Sequence, residues 1–176
     1  MVVTVELEDA IKSLEGLERF RSLEKNPLAL MYFQQMVEQN CFKAGGGKFV
    51  APAQRMVDFT QHKISTEIPK TSYVPGTTSV ELGQVFPNFL TQIMREGFVQ
   101  FGKSMRGYMT NEAILHAPES RTSSPVRIPR NPISLEHIQI KGLYPCGEGA
   151  GFAGGIISAA IDGEKCALMI AESIKV

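Results

Sequence analysis

The sequence has no charge imbalance and no long apolar run, and both absences exclude classes of protein. Its 18 basic residues equal its 18 acidic ones, so the formal net charge is zero. Such a balance gives no sign of the basic surface that binds nucleic acid or an anionic membrane. No apolar segment approaches the roughly 18 residues of a membrane-spanning helix. The start, MVVTVE, lacks the basic segment and apolar core of a secretion signal. We therefore expect a cytoplasmic protein with neither nucleic-acid nor membrane partners.

Cysteine is also scarce. Cys41, Cys146 and Cys166 form an odd and widely spaced set without a Cys-x-x-Cys pair. This pattern predicts reduced thiols, with neither a disulfide framework nor a metal site. Two interpretations of Cys146 stay open. It has a redox role beside the glycine-rich segment that follows it, or it is a buried filler, as free cysteine more often is.

Signals for hydrolytic chemistry are missing too, because no Ser-His-Asp order or carboxylate pair rises above chance. The 176 residues suit one domain, or one domain with a piece of another. At 43% apolar residues, the chain can build a real core. What the sequence does contain is a cluster of glycines near its end.

Five glycines within nine residues precede the last predicted helix. Before them, Ile138 and Ile140 alternate with polar residues, which predicts a strand over 138–141. Residues 156–174 are small and apolar at helical spacing. Glycine allows tight turns and close backbone approach, and the first amides of a helix are unpaired. A strand–turn–helix of this kind favours a phosphate or another negatively polarised group.

The glycine spacing formally fits the dinucleotide fingerprint at Gly149, Gly151 and Gly154, but a lone match is weak. The full motif needs a second strand and an acidic residue about 20 positions on. The chain ends at Val176, and Glu172, at the right offset, falls in the last predicted helix. We therefore reject an ordinary Rossmann opening. A turn that merely packs a helix on a sheet stays as the alternative.

Three segments resemble one family of flavoproteins. Residues 143–156 (LYPCGEGAGFAGGI) resemble the closing FAD motif of uncharacterised bacterial FAD-dependent dehydrogenases, within the wider glutathione-reductase-like flavoproteins. Residues 44–55 (AGGGKFVAPAQR) and 119–130 (ESRTSSPVRIPR) resemble the same family. The likeness covers roughly residues 27–174, and the motifs occur in the expected order.

The resemblance implies that the glycine segment contacts FAD. In such proteins the Gly-Glu pair places a carboxylate on the ribityl or pyrophosphate region, so Glu148 is expected to orient the ribityl chain. The helix start that follows is expected to stabilise negative charge on the reduced ring. The predicted cofactor-binding residues are Gly147, Glu148, Gly149, Gly154, Gly155 and Ile156.

The segment 119–130 is dense in hydrogen-bond donors. Arginine forks suit carboxylates and phosphates, and the resemblance places this segment beside the flavin. The residues expected to contact substrate or cofactor are Arg121, Thr122, Ser123, Ser124 and Arg127. By resemblance, Lys48, Gln54 and Arg55 lie near the active site, and Lys48 is a further predicted contact. The alternatives are a polar hairpin whose arginines pair with Glu119 or Glu112, and a solvated loop at Lys48. Catalytic residues stay unassigned.

One departure from the family bears on function. Family members carry their main Gly-x-Gly-x-x-Gly strand–turn–helix, which holds the ADP half of FAD, well upstream. Here Gly16 is the only glycine before residue 42. The resemblance thus implies the C-terminal part of an FAD-dependent oxidoreductase, inactive alone and binding FAD weakly or not at all. Its expected partners are the upstream FAD-binding half, a small-molecule substrate and another copy of itself. The alternative is a non-catalytic helical recognition module.

These patterns predict an α+β fold in three segments: an N-terminal strand and helix (1–25), a substrate-side domain, helical and then stranded (26–137), and part of an FAD-binding domain (138–176). Hydrophobic spacing favours a mostly helical lobe over 8–107. The predicted strands are 2–7, 113–116 and 138–141. The predicted helices are 8–25, 26–44, 52–59, 80–85, 88–107 and 156–174.

Overall fold

The computed structural model of the protein describes residues 1–15 and 26–174. It forms two compact units: the first contains described residues 1–15 and 32–120, and the second contains 26–31 and 121–174. The predicted α+β class is confirmed. The described helices are α1 (Leu7–Leu14), α2 (Ala29–Ala44), α3 (Met56–Thr60), α4 (Asn88–Ser104) and α5 (Ile156–Ile174). The strands are β1 (Ala51–Arg55), β2 (Thr77–Ser79) and β3 (Ile114–His116). Within these ranges no helix is both long and apolar enough to cross a membrane.

The sheet of the first unit has the order β2-β1-β3, with β2 parallel and β3 antiparallel to β1. The prediction of a helix from Pro52 is wrong, because β1 occupies these residues and α3 begins only at Met56. Proline normally avoids a central strand because it has no N–H group. On the side of β2, the hydrogen bonds of β1 are formed by the Ala51 N–H and the Ala53 carbonyl. Pro52 contributes only its carbonyl, which accepts from the Ala117 N–H (3.0 Å).

The N-terminal strand prediction over 2–7 is also wrong. Residues 1–6 form no strand, and α1 begins at Leu7. The Asp9 carboxylate accepts from the Glu6 N–H (3.2 Å), which closes the first turn of a helix. The rest of the predicted helix over 8–25, with Gly16, lies outside the described residues.

Helix α2 confirms the helix predicted over 26–44. Asn26 starts the turn that leads into it, and its side-chain oxygen accepts from the Leu28 N–H (2.9 Å). Leu28 and Gln35 are exposed. The buried residues instead repeat at every fourth position: Ala29, Phe33, Val37 and Cys41.

The core of the first unit centres on Phe59, which is fully buried. Its ring meets Phe98 of α4 edge-on at 6.0 Å between centroids. Arg95 lies 4.9 Å from the Phe59 centroid, donates to the Phe59 carbonyl (2.7 Å) and pairs with Glu81 (3.2 Å). The apolar residues at helical spacing along α4 are core only in part. Leu90 and Phe98 are buried, while Ile93, Phe101 and Met105 are exposed.

Three other element predictions have mixed outcomes. The strand at 113–116 is confirmed as β3, but two of the three strands lie inside the region predicted to be helical. Ser79 ends β2 and donates to the Ser65 carbonyl (2.6 Å), and a single 3₁₀ turn, Leu82–Gln84, replaces the predicted helix over 80–85. Helix α4 begins at Asn88 as predicted, with Pro87 in the cap position.

The second unit contains α5, packed with irregular segments. Helix α5 is confirmed over its predicted range, but the strand expected before it is wrong. Residues 138–142 bend, and Ile138 and Ile140 are 61% and 53% exposed. The His137 Nδ1 accepts from the N–H groups of Gln139 and Ile140 (both 3.1 Å). Side-chain acceptors thus take backbone groups that a strand would need for a ladder.

Candidate functional site

An ion pair between Arg130 and Asp162 organises the second unit. The contact is bidentate, with Nη1 to Oδ2 at 3.0 Å and Nη2 to Oδ1 at 2.7 Å. The two side chains are only 9% and 13% exposed. Arg130 Nη1 also donates to the Pro145 carbonyl (2.7 Å), and the Gly147 N–H donates to Asp162 Oδ2 (2.9 Å). The pair therefore attaches both ends of the Pro145–Gly147 segment to α5.

The ring of Phe152 lies against two guanidinium groups. The guanidinium carbon of Arg130 is 3.6 Å and that of Arg127 is 4.5 Å from the ring centroid. The cavity at this point has a volume of about 510 Å³ and is lined by Arg127, Pro129, Arg130, Pro132, Leu135 and Phe152. Asp162 neutralises Arg130, whereas Arg127 is exposed and forms no ion pair with the residues that the structure describes. Arg127 is thus the charge available to an anion entering this cavity.

The glycine-rich turn that begins at Gly147, called the glycine turn below, is held by backbone hydrogen bonds. The Gly151 N–H donates to the Glu148 carbonyl (2.8 Å) and the Phe152 N–H to the Gly147 carbonyl (3.0 Å). Gly147 and Gly151 have φ of 70° and 81°, a region that L side chains rarely adopt. A Cβ on Gly151 would lie 2.6 Å from the Val126 carbonyl oxygen. The turn therefore requires glycine for its conformation and for its close approach to the arginine-bearing segment.

Comparison with known proteins agrees with this flavoprotein interpretation. The model of the family described as "FAD-dependent protein, C-terminal domain-like" matches residues 1–122. The chain belongs to this family. An uncharacterised protein of Clostridium beijerinckii is 47% identical over 149 residues, which cover 84% of this chain and 28% of the relative. The chain therefore spans little more than a quarter of that relative's length.

Membership in this C-terminal domain family confirms the prediction that the chain is part of an FAD-dependent protein. The matched residues include the segment 44–55 and the beginning of the segment 119–130. The glycine turn lies after the matched range, so its role stays a prediction based on its resemblance and its geometry.

Among the predicted cofactor-binding residues, Gly147 has an internal partner and the others are exposed. Gly147 is fixed by Asp162, while Glu148 and Gly149 are exposed. Nothing lies within 4 Å of a Cβ built on Gly149 or Gly154. Gly155 is engaged locally, because its N–H donates to Ser158 Oγ (3.1 Å). Ile156, the first residue of α5, is 89% exposed.

The predicted substrate or cofactor contacts divide between the two units. Arg121, Thr122 and Ser123 are exposed in the second unit. Ser124 donates to the carbonyls of Val126 (2.8 Å) and Gly149 (3.3 Å), so it connects this segment with the glycine turn. Lys48 is exposed in the first unit, in the loop between α2 and β1.

Gln54 and Arg55, the other residues expected near the active site, lie in strand β1. Gln54 is fully buried, donates to the Lys63 carbonyl (2.6 Å) and accepts from the Leu82 N–H (3.0 Å). These bonds link β1 to the connections after it, so Gln54 is a framework residue. Arg55 is different, since its buried Nε has no hydrogen-bond partner among the described residues.

Sequence reasoning missed the residues that organise the second unit. Arg130 ends the segment 119–130, but the predicted contacts of that segment stop at Arg127, and neither Asp162 nor Phe152 is among the predicted site residues. Asp162 did carry a signal, because it is an acidic residue following the apolar start of α5. Such a carboxylate needs a cation partner when it is buried. Nothing local identified Arg130, 32 residues earlier, as that cation.

The Arg130–Asp162 ion pair makes the stability of the second unit depend on pH. The hydrogen bond from Arg130, followed by that from the Gly147 N–H, lowers the pKa of Asp162 below its ordinary value despite burial. A carboxyl whose pKa is depressed by folding contributes its full stabilisation above its unfolded pKa of about 3.9. That contribution is lost as the pH falls through the lower, folded value.

We therefore expect the second unit to lose stability as the pH falls below about 4, and Asp162→Asn to show a flatter dependence. Urea unfolding, monitored by circular dichroism at several pH values, measures this dependence of the unfolding free energy on pH. Glu172→Gln, an exposed change near the end of the same helix, serves as the control and should retain the wild-type dependence. Equal slopes for Asp162→Asn and the wild type would contradict the assignment.

Proposed function

We propose that this chain is the C-terminal part of an FAD-dependent oxidoreductase of the glutathione-reductase-like superfamily, and that residues 147–156 form one edge of its flavin site. The observation that carries the proposal is the glycine turn, held rigidly by Asp162, with Glu148 and the start of α5 exposed beside it. Membership in the FAD-dependent C-terminal domain family supports it. The upstream half of the same protein supplies the rest of the cofactor site.

The residues at the turn fit a flavin nucleotide. The open space around Gly149 and Gly154 lets an extended ligand approach the backbone closely. The exposed Glu148 carboxylate can accept hydrogen bonds from ribityl hydroxyl groups. The first amides of α5 present partial positive charge. Ser158 competes for one of them, the Gly155 N–H, so the amides around Gly154 and Ile156 are the donors left for the cofactor.

When bound, FAD supplies the hydride chemistry, and the chain supplies orientation and electrostatics. Glu148 orients the cofactor, and the α5 amides stabilise negative charge beside them. Arg127, over Phe152 at the cavity of the second unit, binds an anionic group of the substrate or cofactor. Arg121, Thr122, Ser123, Ser124 and Lys48 are proposed as further contacts.

Exposed apolar residues suggest which part of this chain contacts the upstream half. Ile156 and Ile157 are 89% and 72% exposed, and Leu168 is also exposed on α5. An apolar surface of this kind usually marks an interaction site. We propose that residues 138–176 complete an FAD-binding domain with upstream residues, and that the isolated chain self-associates through α5. A small-molecule substrate and a cytoplasmic location complete the proposal.

Calorimetric titration with FAD tests the proposal. We expect tight binding by a longer protein that carries this chain behind a glycine-fingerprint segment, and weak or no binding by this chain alone. In the longer protein, Glu148→Gln should weaken FAD binding about tenfold, because a charge-assisted hydrogen bond becomes a neutral one. Glu172→Gln is the matched control and should bind as the wild type does.

The other outcomes of the titration are equally informative. Tight binding by this chain alone would show that the turn is a sufficient site and would refute the split-site proposal. If neither protein binds FAD, the recognition module replaces the oxidoreductase as the better proposal. Equal affinity of the Glu148→Gln and Glu172→Gln variants would remove Glu148 from the site.

A further inference from the structure

Cys146 is fixed on both sides against helix α5. Its neighbour Pro145 accepts a hydrogen bond from Arg130 Nη1 (2.7 Å), and its neighbour Gly147 donates to Asp162 (2.9 Å). These contacts are anchored on α5 through Asp162. The backbone of Cys146 therefore has little freedom to move away from the helix.

Cys166 lies on the same face of α5, one turn after Asp162. Arg130 Nη1 donates to its sulfur at 3.4 Å, the same nitrogen that binds Pro145. This nitrogen therefore joins the residue before Cys146 to the Cys166 sulfur, and the bond from Gly147 to Asp162 holds the residue after Cys146 one turn from Cys166. Two thiols on segments held together in this way can meet by side-chain rotation, which allows one to attack the other.

The two thiols differ in access. Cys146 is exposed and Cys166 is only 3% exposed. Burial raises the pKa of the Cys166 thiol, while the charge of Arg130 opposes that rise. A reagent can reach the exposed thiol, and the second thiol is buried close to it. An attacking and a resolving cysteine are arranged in this way.

The remaining thiol is an internal control. Cys41 is buried in the first unit, and burial followed by the nearby charge of Glu38 raises its pKa to about 12. Since the thiolate is the reactive form, Cys41 should stay reduced under conditions that oxidise the other two.

We infer that Cys146 and Cys166 form a reversible dithiol–disulfide site for low-molecular-weight disulfides. The Cys146 thiolate attacks a disulfide RS–SR, forms the mixed disulfide Cys146–S–S–R and releases one RS⁻, which takes up a proton. The Cys166 thiolate then attacks the Cys146 sulfur, forms the intramolecular disulfide and releases the second RS⁻. The protein loses two protons and two electrons, and RS–SR becomes two RSH.

This site lies beyond the proposed flavin function and needs no bound FAD. The disulfide would connect the segment before the glycine turn covalently to α5. It would add a covalent bond beside the Arg130–Asp162 ion pair, which now attaches this segment to α5 through hydrogen bonds.

The experiment treats the reduced 176-residue chain with oxidised glutathione, stops the reaction by alkylation and identifies the products by peptide mass spectrometry. We expect two thiols to disappear, a linked pair of peptides containing Cys146 and Cys166, and free Cys41. Dithiothreitol should restore both thiols. In the oxidised protein, hydrogen exchange of the amides over 146–152 should slow several-fold.

Three variants separate the steps. Cys166→Ala should accumulate a stable glutathione adduct on Cys146, because the resolving thiol is gone. Cys146→Ser should leave Cys166 reduced, with oxidation slowed about tenfold or more. Cys41→Ala should react as the wild type does, and circular dichroism confirms that each variant is folded.

Several results would overturn the inference. They are a persistent glutathione adduct on Cys146 in the wild type, disulfides between different chains, no loss of thiols, and oxidation of Cys41 at the same rate. An unchanged rate in Cys146→Ser would refute the assignment of the attacking thiol. None of these results depends on FAD binding, so failure here is distinct from failure of the flavin proposal.

Discussion

Replacing Arg130 with leucine is expected to destabilise the second unit by about 3 kcal/mol, because the change leaves a buried carboxylate without its cation. The pair is bidentate, and both side chains are nearly buried. Arg130 also donates to the Pro145 carbonyl and packs on Phe152 (3.6 Å), and these contacts are lost together. We expect the glycine turn and α5 to separate locally before the first unit unfolds.

Hydrogen exchange of the α5 amides measures this effect, since it reports each unit separately. The matched control is Arg127→Leu, which removes a guanidinium from the same Phe152 ring but no ion pair among the described residues. We expect the control to cost less than about 1 kcal/mol. The double variant Arg130→Leu, Asp162→Leu should recover part of the loss, because it removes both buried charges. Equal costs for the two single variants would contradict the central role of the ion pair.

Gly151→Ala is expected to cost roughly 3 kcal/mol, for two independent physical reasons. The first is conformational, because φ of 81° is unfavourable for alanine. The second is steric, because the new Cβ would lie 2.6 Å from the Val126 oxygen and 3.0 Å from the Arg127 Cα. Both obstacles are backbone atoms, so no side chain can rotate away to relieve them.

Gly149→Ala is the matched control for this change. It lies two residues earlier in the same turn, and a Cβ there meets nothing within 4 Å. We expect its effect on stability to stay within about 1 kcal/mol. Urea unfolding and hydrogen exchange over residues 126–128 and 147–152 compare the two variants. Similar losses in both would show that the turn tolerates movement and does not depend on its approach to Val126.

Much of the fold could be predicted where local signals and tertiary packing agree. Helix α5 and strand β3 occur where the hydrophobic spacing placed them. The α+β class followed from the same patterns. In α4 the sequence located the helix but not its buried residues, since Ile93 and Phe101 are apolar and yet exposed. Helical spacing identifies an apolar stripe, and only the neighbouring elements determine how much of it is covered.

The predictions fail where hydrogen-bond partners, either on other strands or on a neighbouring side chain, decide the conformation. Pro52 has the local preference of a helix start, but pairing with β2 and β3 makes it part of a central strand. Ile138 and Ile140 have the alternation of a strand, but the nearby His137 ring accepts hydrogen bonds from the N–H groups of Gln139 and Ile140. Strand propensity is weak without a partner strand, so a local acceptor prevails.

The sequence by itself determined the family resemblance, the glycine turn and the candidate cofactor residues, because these depend on residue types at short spacing. The tertiary structure alone decided what holds that turn. Arg130 and Asp162 are 32 residues apart, and Cys146 and Cys166 are 20 apart, yet the fold pairs the first two and brings both cysteines to the same arginine and its neighbours. No local pattern encodes such pairs. They form because a buried charge must find an opposite charge, and folding α5 against the turn brings the two thiols to the same place.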